Sequence, residues 1–312
     1  MLVVLLVTLL VAPPAPALSA DSADDLDACL RQAPVQSPPP INWGEGVPQM
    51  WSSTPPVSRD TVRAALSQVR AARACFRALD PSGIERPYLG NVMRTFQAET
   101  ALLAALRRFS ATFETFEDAR AYLESEPDIP SAEGTRTGWI RALHQDQGFL
   151  HFQIGNLSAS INHYSTAFQK TPEHEVGLRI THLLDVGILH QYTQDYRSAH
   201  HYYDRARRLA REHDRTPEKH PSEWARLLYH QADLLLDETL NAEFARAPLQ
   251  RARDLARRGR ALAEAPARRT DLTLTLSESL GYLGSFDRAY ALNAEVRRYA
   301  RAQDDAQLRA FA

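Results

Sequence analysis

All eleven histidines of this 312-residue chain fall between His144 and His230. Imidazole is a common metal ligand and a general base near neutral pH, so the cluster raises metal binding and acid–base catalysis first. A metal site built on helices wants ligands three or four residues apart on one face, met by a second such pair. His182 and Asp185 have that spacing, with His190 beyond them, but no second pair joins them. His200 and His201 are adjacent and would project about 100° apart on a helix. The chain has no HExxH, no GxSxG, no phosphate-binding loop and no GxGxxG. We therefore assign no catalytic residue, no metal ligand and no cofactor, and a His-based metal-binding protein is the lesser alternative.

The charges exclude another class. Thirty-six basic and 38 acidic residues leave a net charge of −2, so no bulk field draws in nucleic acid or an anionic membrane. Basic runs such as Arg205–Arg208 and Arg251–Arg253 alternate with Ala and Leu and read as solvated helix faces. The 44% apolar and 24% charged residues are those of a globular protein with a substantial core.

The elements that would carry any site begin late in the chain. Leu2–Val11 is an apolar run broken by Pro13 and Pro14 and followed by small residues to Ala20. It reads as a secretory signal over 1–20, too short to span a bilayer. The expected location is periplasmic or secreted, with no transmembrane segment after cleavage. Residues 21–57 form a Pro-rich linker, with Pro38-Pro39-Pro40 and Pro55-Pro56 at its densest points. Cys29 and Cys75 either pair in an oxidising compartment, tying the linker to the first long helix, or remain independent thiols.

From residue 58 onward the apolar spacing is helical, and no stretch sustains a period of two. The periodicity predicts helices near 58–79, 88–109, 115–125, 137–154, 157–170, 175–193, 196–212, 221–238, 241–264, 267–283 and 286–302. Short connections make consecutive helices antiparallel. A pattern repeats through them. Gly155-Asn156-Leu157 leads to Ser160, Tyr164 and Ala167; Gln194-Asp195-Tyr196 leads to Ala199, Tyr203 and Ala206; Gly284-Ser285-Phe286 leads to Ala289. The small residue recurs at 119, 160, 199, 245 and 289. Leu157, Tyr196 or Phe286 would anchor the start of a second helix. The small residue three places on would permit a close helix crossing, and the tyrosine four places further would fill the gap to the next pair.

These residues resemble the tetratricopeptide (TPR) repeat family. In the best copy, 141–174, Gly148 takes the small position of the first helix, Gly155 the turn, Ser160 and Ala167 the small positions of the second helix, Tyr164 its aromatic and Pro172 the terminating proline. In the next copy Gly187, Ala199, Tyr203 and Ala206 stand at the matching places. The first-helix Trp of the family is His144 in one copy and Leu183 in the other, and the repeats exceed 34 residues. The resemblance implies an all-α fold over 58–312: an α-α superhelix, a right-handed solenoid of antiparallel helix pairs.

It also implies an inner face made by the first helices, carrying Gln145, Phe149, Phe152 and Gln153, then Leu184, Ile188, Gln191 and Tyr192. A chaperone-type carboxylate clamp is not expected, because the two lysines, Lys170 and Lys219, do not map there. The functional expectation is a non-catalytic protein–protein interaction scaffold acting outside the cytoplasm, its partner another protein or peptide. The alternative is a sensor or ligand-binding module of a bacterial signalling protein. An apolar last repeat would also permit self-association.

Overall fold

Each expected helix has a counterpart, with some ends displaced: the third begins at Phe109 rather than 115 and the ninth at Arg246 rather than 241. The computed structural model describes residues 59–78, 88–125, 136–241 and 245–302. The expected signal, the linker and Cys29 lie outside the described residues. Eleven helices are described: α1 (Arg59–Ala78), α2 (Tyr88–Ala105), α3 (Phe109–Ser125), α4 (Arg136–Gln153), α5 (Leu157–Lys170), α6 (Val176–Tyr192), α7 (Tyr196–Glu212), α8 (Pro221–Asn241), α9 (Arg246–Leu262), α10 (Pro266–Tyr282) and α11 (Phe286–Ala302). No strand occurs among the described residues. None of these helices is long and apolar enough to cross a membrane.

The chain divides into two compact units that part between Gly155 and Asn156. This point lies inside the 141–174 copy, so α4 belongs to the first unit and α5 to the second. In the first unit Phe76, Met93, Phe96, Leu123 and Leu143 build the main core, and Ala65, Val69 and Leu103 a smaller one. Arg70 and Arg73 of α1 both bind the carboxylate of Glu99 on α2, which is 2% exposed. Two guanidiniums compensate a charge that would otherwise be costly to bury. Cys75 of α1 is disulfide-bonded.

The second unit holds α5 followed by the pairs α6–α7, α8–α9 and α10–α11, and the first helices α6, α8 and α10 touch in succession. The small residues of the repeat do what their spacing requires. Ser160, Ala167, Ala199 and Ala206 are fully buried, Ala289 is nearly so, and Tyr164 and Tyr203 fill the gaps. Gly187 is needed because Tyr203 lies against α6: a Cβ there would sit 2.7 Å from ring atom Cδ1. Such a contact forces a shift in a close-packed core.

The helix starts repeat as well. Asn156 and Asp195 cap α5 and α7, their side chains accepting from the Ala159 and Ser198 amides at 3.2 and 3.1 Å. Asn156, the first residue of a glycosylation-type sequon, therefore has a structural role. Just before α5, α7 and α11 the backbone is left-handed, at Gly155 (φ 80°), Gln194 (φ 60°) and Gly284 (φ 80°).

Two expectations need correction. Ala245 is not a small residue at a helix crossing; it is exposed and precedes α9, which starts at Arg246. The crossing positions belong to Leu249, Ala252 and Ala256, all fully buried. Phe286 does not anchor α11 by burial, since 61% of it faces solvent.

Candidate functional site

α6 is enclosed by α5, α7 and α8. A helix surrounded on most sides must be apolar on most sides, and ten of its seventeen residues are buried. This overturns part of the expected inner face. Leu184 and Ile188 are 1% and 5% exposed and pack in the core with Tyr203, Leu227 and Leu234; they present nothing to a partner. Of the expected α6 residues only Tyr192, at the end of the helix, is exposed (55%), and Gln191 beside it is buried among polar groups. In the first unit Gln145, Phe149, Phe152 and Gln153 are each half-buried on α4.

A polar relay runs from the Tyr203 core to the surface of the second unit. The Tyr203 hydroxyl donates to Gln191 Oε1 at 3.1 Å. Gln191 Nε2 then donates to two carboxylates of α8, Asp233 Oδ2 at 2.9 Å and Asp237 Oδ2 at 2.5 Å. One amide thus gathers two acids that stand one helical turn apart. Burial, and then the Asp237 charge, push Asp233 up to about 7. The same two aspartates, after burial, raise the Tyr192 phenol. Glu278 of α10 joins them: partial desolvation, then Asp237, raise its carboxyl.

The nearby arginines are engaged elsewhere. Arg226 binds Asp185 at 2.9 Å and reaches Thr181 at 3.3 Å. Arg268 binds Asp271 at 3.2 Å and lies over the Tyr229 ring. Among the described residues no ion pair joins Asp233, Asp237 or Glu278 to a cation. Gln191, Tyr192, Asp233, Asp237 and Glu278 therefore form an acidic, hydrogen-bonding patch along the first helices.

The histidine constellation does not assemble. His182 is fully buried, Asp185 is held by Arg226, and His190 meets Asp195 at 3.2 Å and stacks on Tyr202. His200 lies 2.9 Å from Glu238. His230 stacks on Tyr203, and burial, then Arg226 and Arg268, hold its ring well below its usual range, in the neutral form. Among the described residues no group of three His, Cys, Asp or Glu side chains is placed to hold a metal ion.

The first unit has a related but smaller feature. Asp146 of α4 is buried and accepts from Gln97 Nε2 at 3.1 Å, and burial raises its carboxyl to about 7.

Sequence reasoning missed Asp233, Asp237 and Glu278. The available signal is the Asp233–Asp237 pair at i and i+4 on α8, a one-turn spacing like that of His182 and Asp185. The sequence does not show that α6 and α10 bring Gln191 and Glu278 beside that pair.

Known structures share this architecture. The crystal structure of BtubC (BKLC) from P. vanneervenii matches with a TM-score of 0.60 at 15% identity, covering 80% of this chain and 93% of that one. The Rap conjugation gene regulator of plasmid pLS20, in complex with the Phr* peptide, matches with a TM-score of 0.53 at 17% identity, covering 82% of this chain and 68% of that one. The fold is all-α, of the α-α superhelix class. At these identities the likeness is one of fold alone. No family model matches the sequence, and no curated protein matches it.

Proposed function

We propose that the chain is a non-catalytic interaction scaffold that takes a basic, extended peptide segment of a partner on the first helices of its second unit, and that it acts outside the cytoplasm. One observation carries the peptide reading: Asp233 and Asp237 share the Gln191 amide, with Glu278 beside them and, among the described residues, no cation paired to any of the three. A cationic segment docking there would offset the Asp237 repulsion that adds to burial in raising Asp233. Tyr192 adds a large, half-exposed ring of the kind enriched at binding hot spots. The peptide complex of the Rap regulator supports the reading, because it shows a protein of this fold holding a peptide. The extracytoplasmic reading rests on the signal-like residues 1–20 and on the bonded state of Cys75.

The test is a peptide array graded in net charge, probed with residues 21–312 carrying both cysteines. Basic peptides bind in preference to acidic ones, and the Asp233→Asn/Asp237→Asn double variant loses the preference. Equal binding of both classes, or an unaltered preference in the double variant, overturns the reading. Residues 1–20 fused to an export-dependent reporter test location: activity outside the inner membrane is expected, and retention inside overturns it.

A further inference from the structure

Seven large apolar or aromatic side chains are exposed among the described residues, and three of them converge. Tyr282 ends α10, and Phe286 and Tyr290 lie one turn apart on α11, with exposures of 44%, 61% and 68%. Residues at i and i+4 share a helix face, so the two α11 rings stand side by side. With Glu278, Ala289 and Asn293 they line an open depression of about 360 Å³. Its floor is fixed, because the buried Ser277 hydroxyl donates to the Ala289 carbonyl at 3.0 Å and ties α10 to α11. Its one carboxylate, Glu278, interacts with Asp237, so the depression adjoins the acidic patch.

Aromatic faces are electron-rich and attract cations, and a carboxylate at the rim fixes the sign of the guest's charge. The planar, weakly hydrated guanidinium suits such walls better than a compact ammonium. The chain itself shows this preference. Arg268 lies 4.8 Å from the Tyr229 ring centre while binding Asp271. Arg179 and Arg205 both lie over Phe168, at 4.7 and 4.8 Å, and Arg211 lies over Trp224. The α10–α11 depression has the same two parts, aromatic faces with a carboxylate, presented to solvent.

We infer that the depression lined by Tyr282, Phe286, Tyr290 and Glu278 is a binding pocket for one arginine side chain of the bound peptide. This rests on the peptide reading above and adds to it the residue type that the peptide must carry and the place where that residue sits.

The test titrates the full chain with the peptide acetyl-Ala-Ala-Arg-Ala-Ala-amide, its lysine counterpart and its citrulline counterpart, which keeps the shape of arginine and removes the charge. The arginine peptide binds, the lysine peptide binds more weakly, and the citrulline peptide loses at least about tenfold in affinity. Glu278→Gln and the Phe286→Ala/Tyr290→Ala pair each weaken the arginine peptide by about tenfold. All three positions are exposed, so circular dichroism and melting temperature stay close to the parent values. Equal affinity for arginine and citrulline, unaltered binding in both variants, or no binding at millimolar peptide overturns the pocket. If binding persists and only Asp233→Asn/Asp237→Asn weakens it, the peptide face stands and the arginine pocket falls. If none of the variants matters, both fall.

Discussion

Asp233 couples the acidic patch to pH. Its carboxyl titrates near 7 in the folded protein, first because it is buried and then because Asp237 repels its charge, against about 3.9 in an unfolded chain. A raised folded pKa means that the folded state holds the proton more tightly. The stability this supplies is fully present below about pH 4 and is lost as the pH climbs through 7. Asp146 and Asp185, raised by burial to about 7 and about 6, act in the same direction. Asp233→Asn removes the titration and leaves Gln191 an acceptor. Its melting temperature should match the parent near pH 4 and exceed it by a growing margin up to pH 8. A difference that stays constant with pH would show that Asp233 titrates as an ordinary surface acid. Residue identity alone pointed elsewhere. His182, Asp185 and His190 have ligand spacing, but Arg226 and Asp195 engage two of them and the core takes the third. Which polar groups face each other is decided between helices, and no spacing within one helix reports it.

At the scale of the helix pair, the turns before α5, α7 and α11 each use one left-handed residue. Two copies have glycine there, Gly155 and Gly284, and the third has Gln194 at φ 60°. A side chain in that conformation costs roughly 1–2 kcal/mol, offset in part by the lower backbone entropy of a non-glycine unfolded chain. Gln194→Gly should therefore stabilise the protein by about 0.5–1 kcal/mol, read as a higher denaturant midpoint at unchanged slope; a loss of stability would show that the Gln194 side chain contributes more than its backbone costs. Helix pairs were also the most legible level. The small residues at 160, 199 and 289 marked the starts of three second helices, and α5, α7 and α11 begin three residues before them. The pattern failed at α9, because Ala245 precedes a helix that has Leu249 three places after its first residue. Leucine is fully buried there, so that crossing takes a bulkier residue than the other copies do.

Charge is sorted at the scale of the whole second unit. The second helices α7, α9 and α11 carry fifteen arginines against five carboxylates, whereas the first helices α6, α8 and α10 carry four against seven. A net charge of −2 hides this separation. In the first unit, Cys75 is bonded, and Cys29 is the other cysteine of the sequence. We propose that these two form the bridge. Denatured, unreduced protein should then show no reactive thiol, and reduction should cost about 2–4 kcal/mol of stability, an effect absent in Cys29→Ser/Cys75→Ser. Two reactive thiols per chain before reduction would exclude the bridge.

The sequence by itself determined the helices, their order and the close crossings within each pair. Those features follow from local periodicity, caps and small residues, which act over three to seven positions. The structure alone decided which side of each helix stays open. α6 reads as a face bearing Leu184 and Ile188 until three neighbouring helices enclose it, bury both and leave Leu178 and Tyr192 exposed. The acidic patch likewise exists because Gln191, Asp233 and Glu278 come from three successive first helices, more than forty residues apart at each step. Their approach depends on the rotation of each helix about its axis, which is set by packing against both neighbours and is written in no single segment.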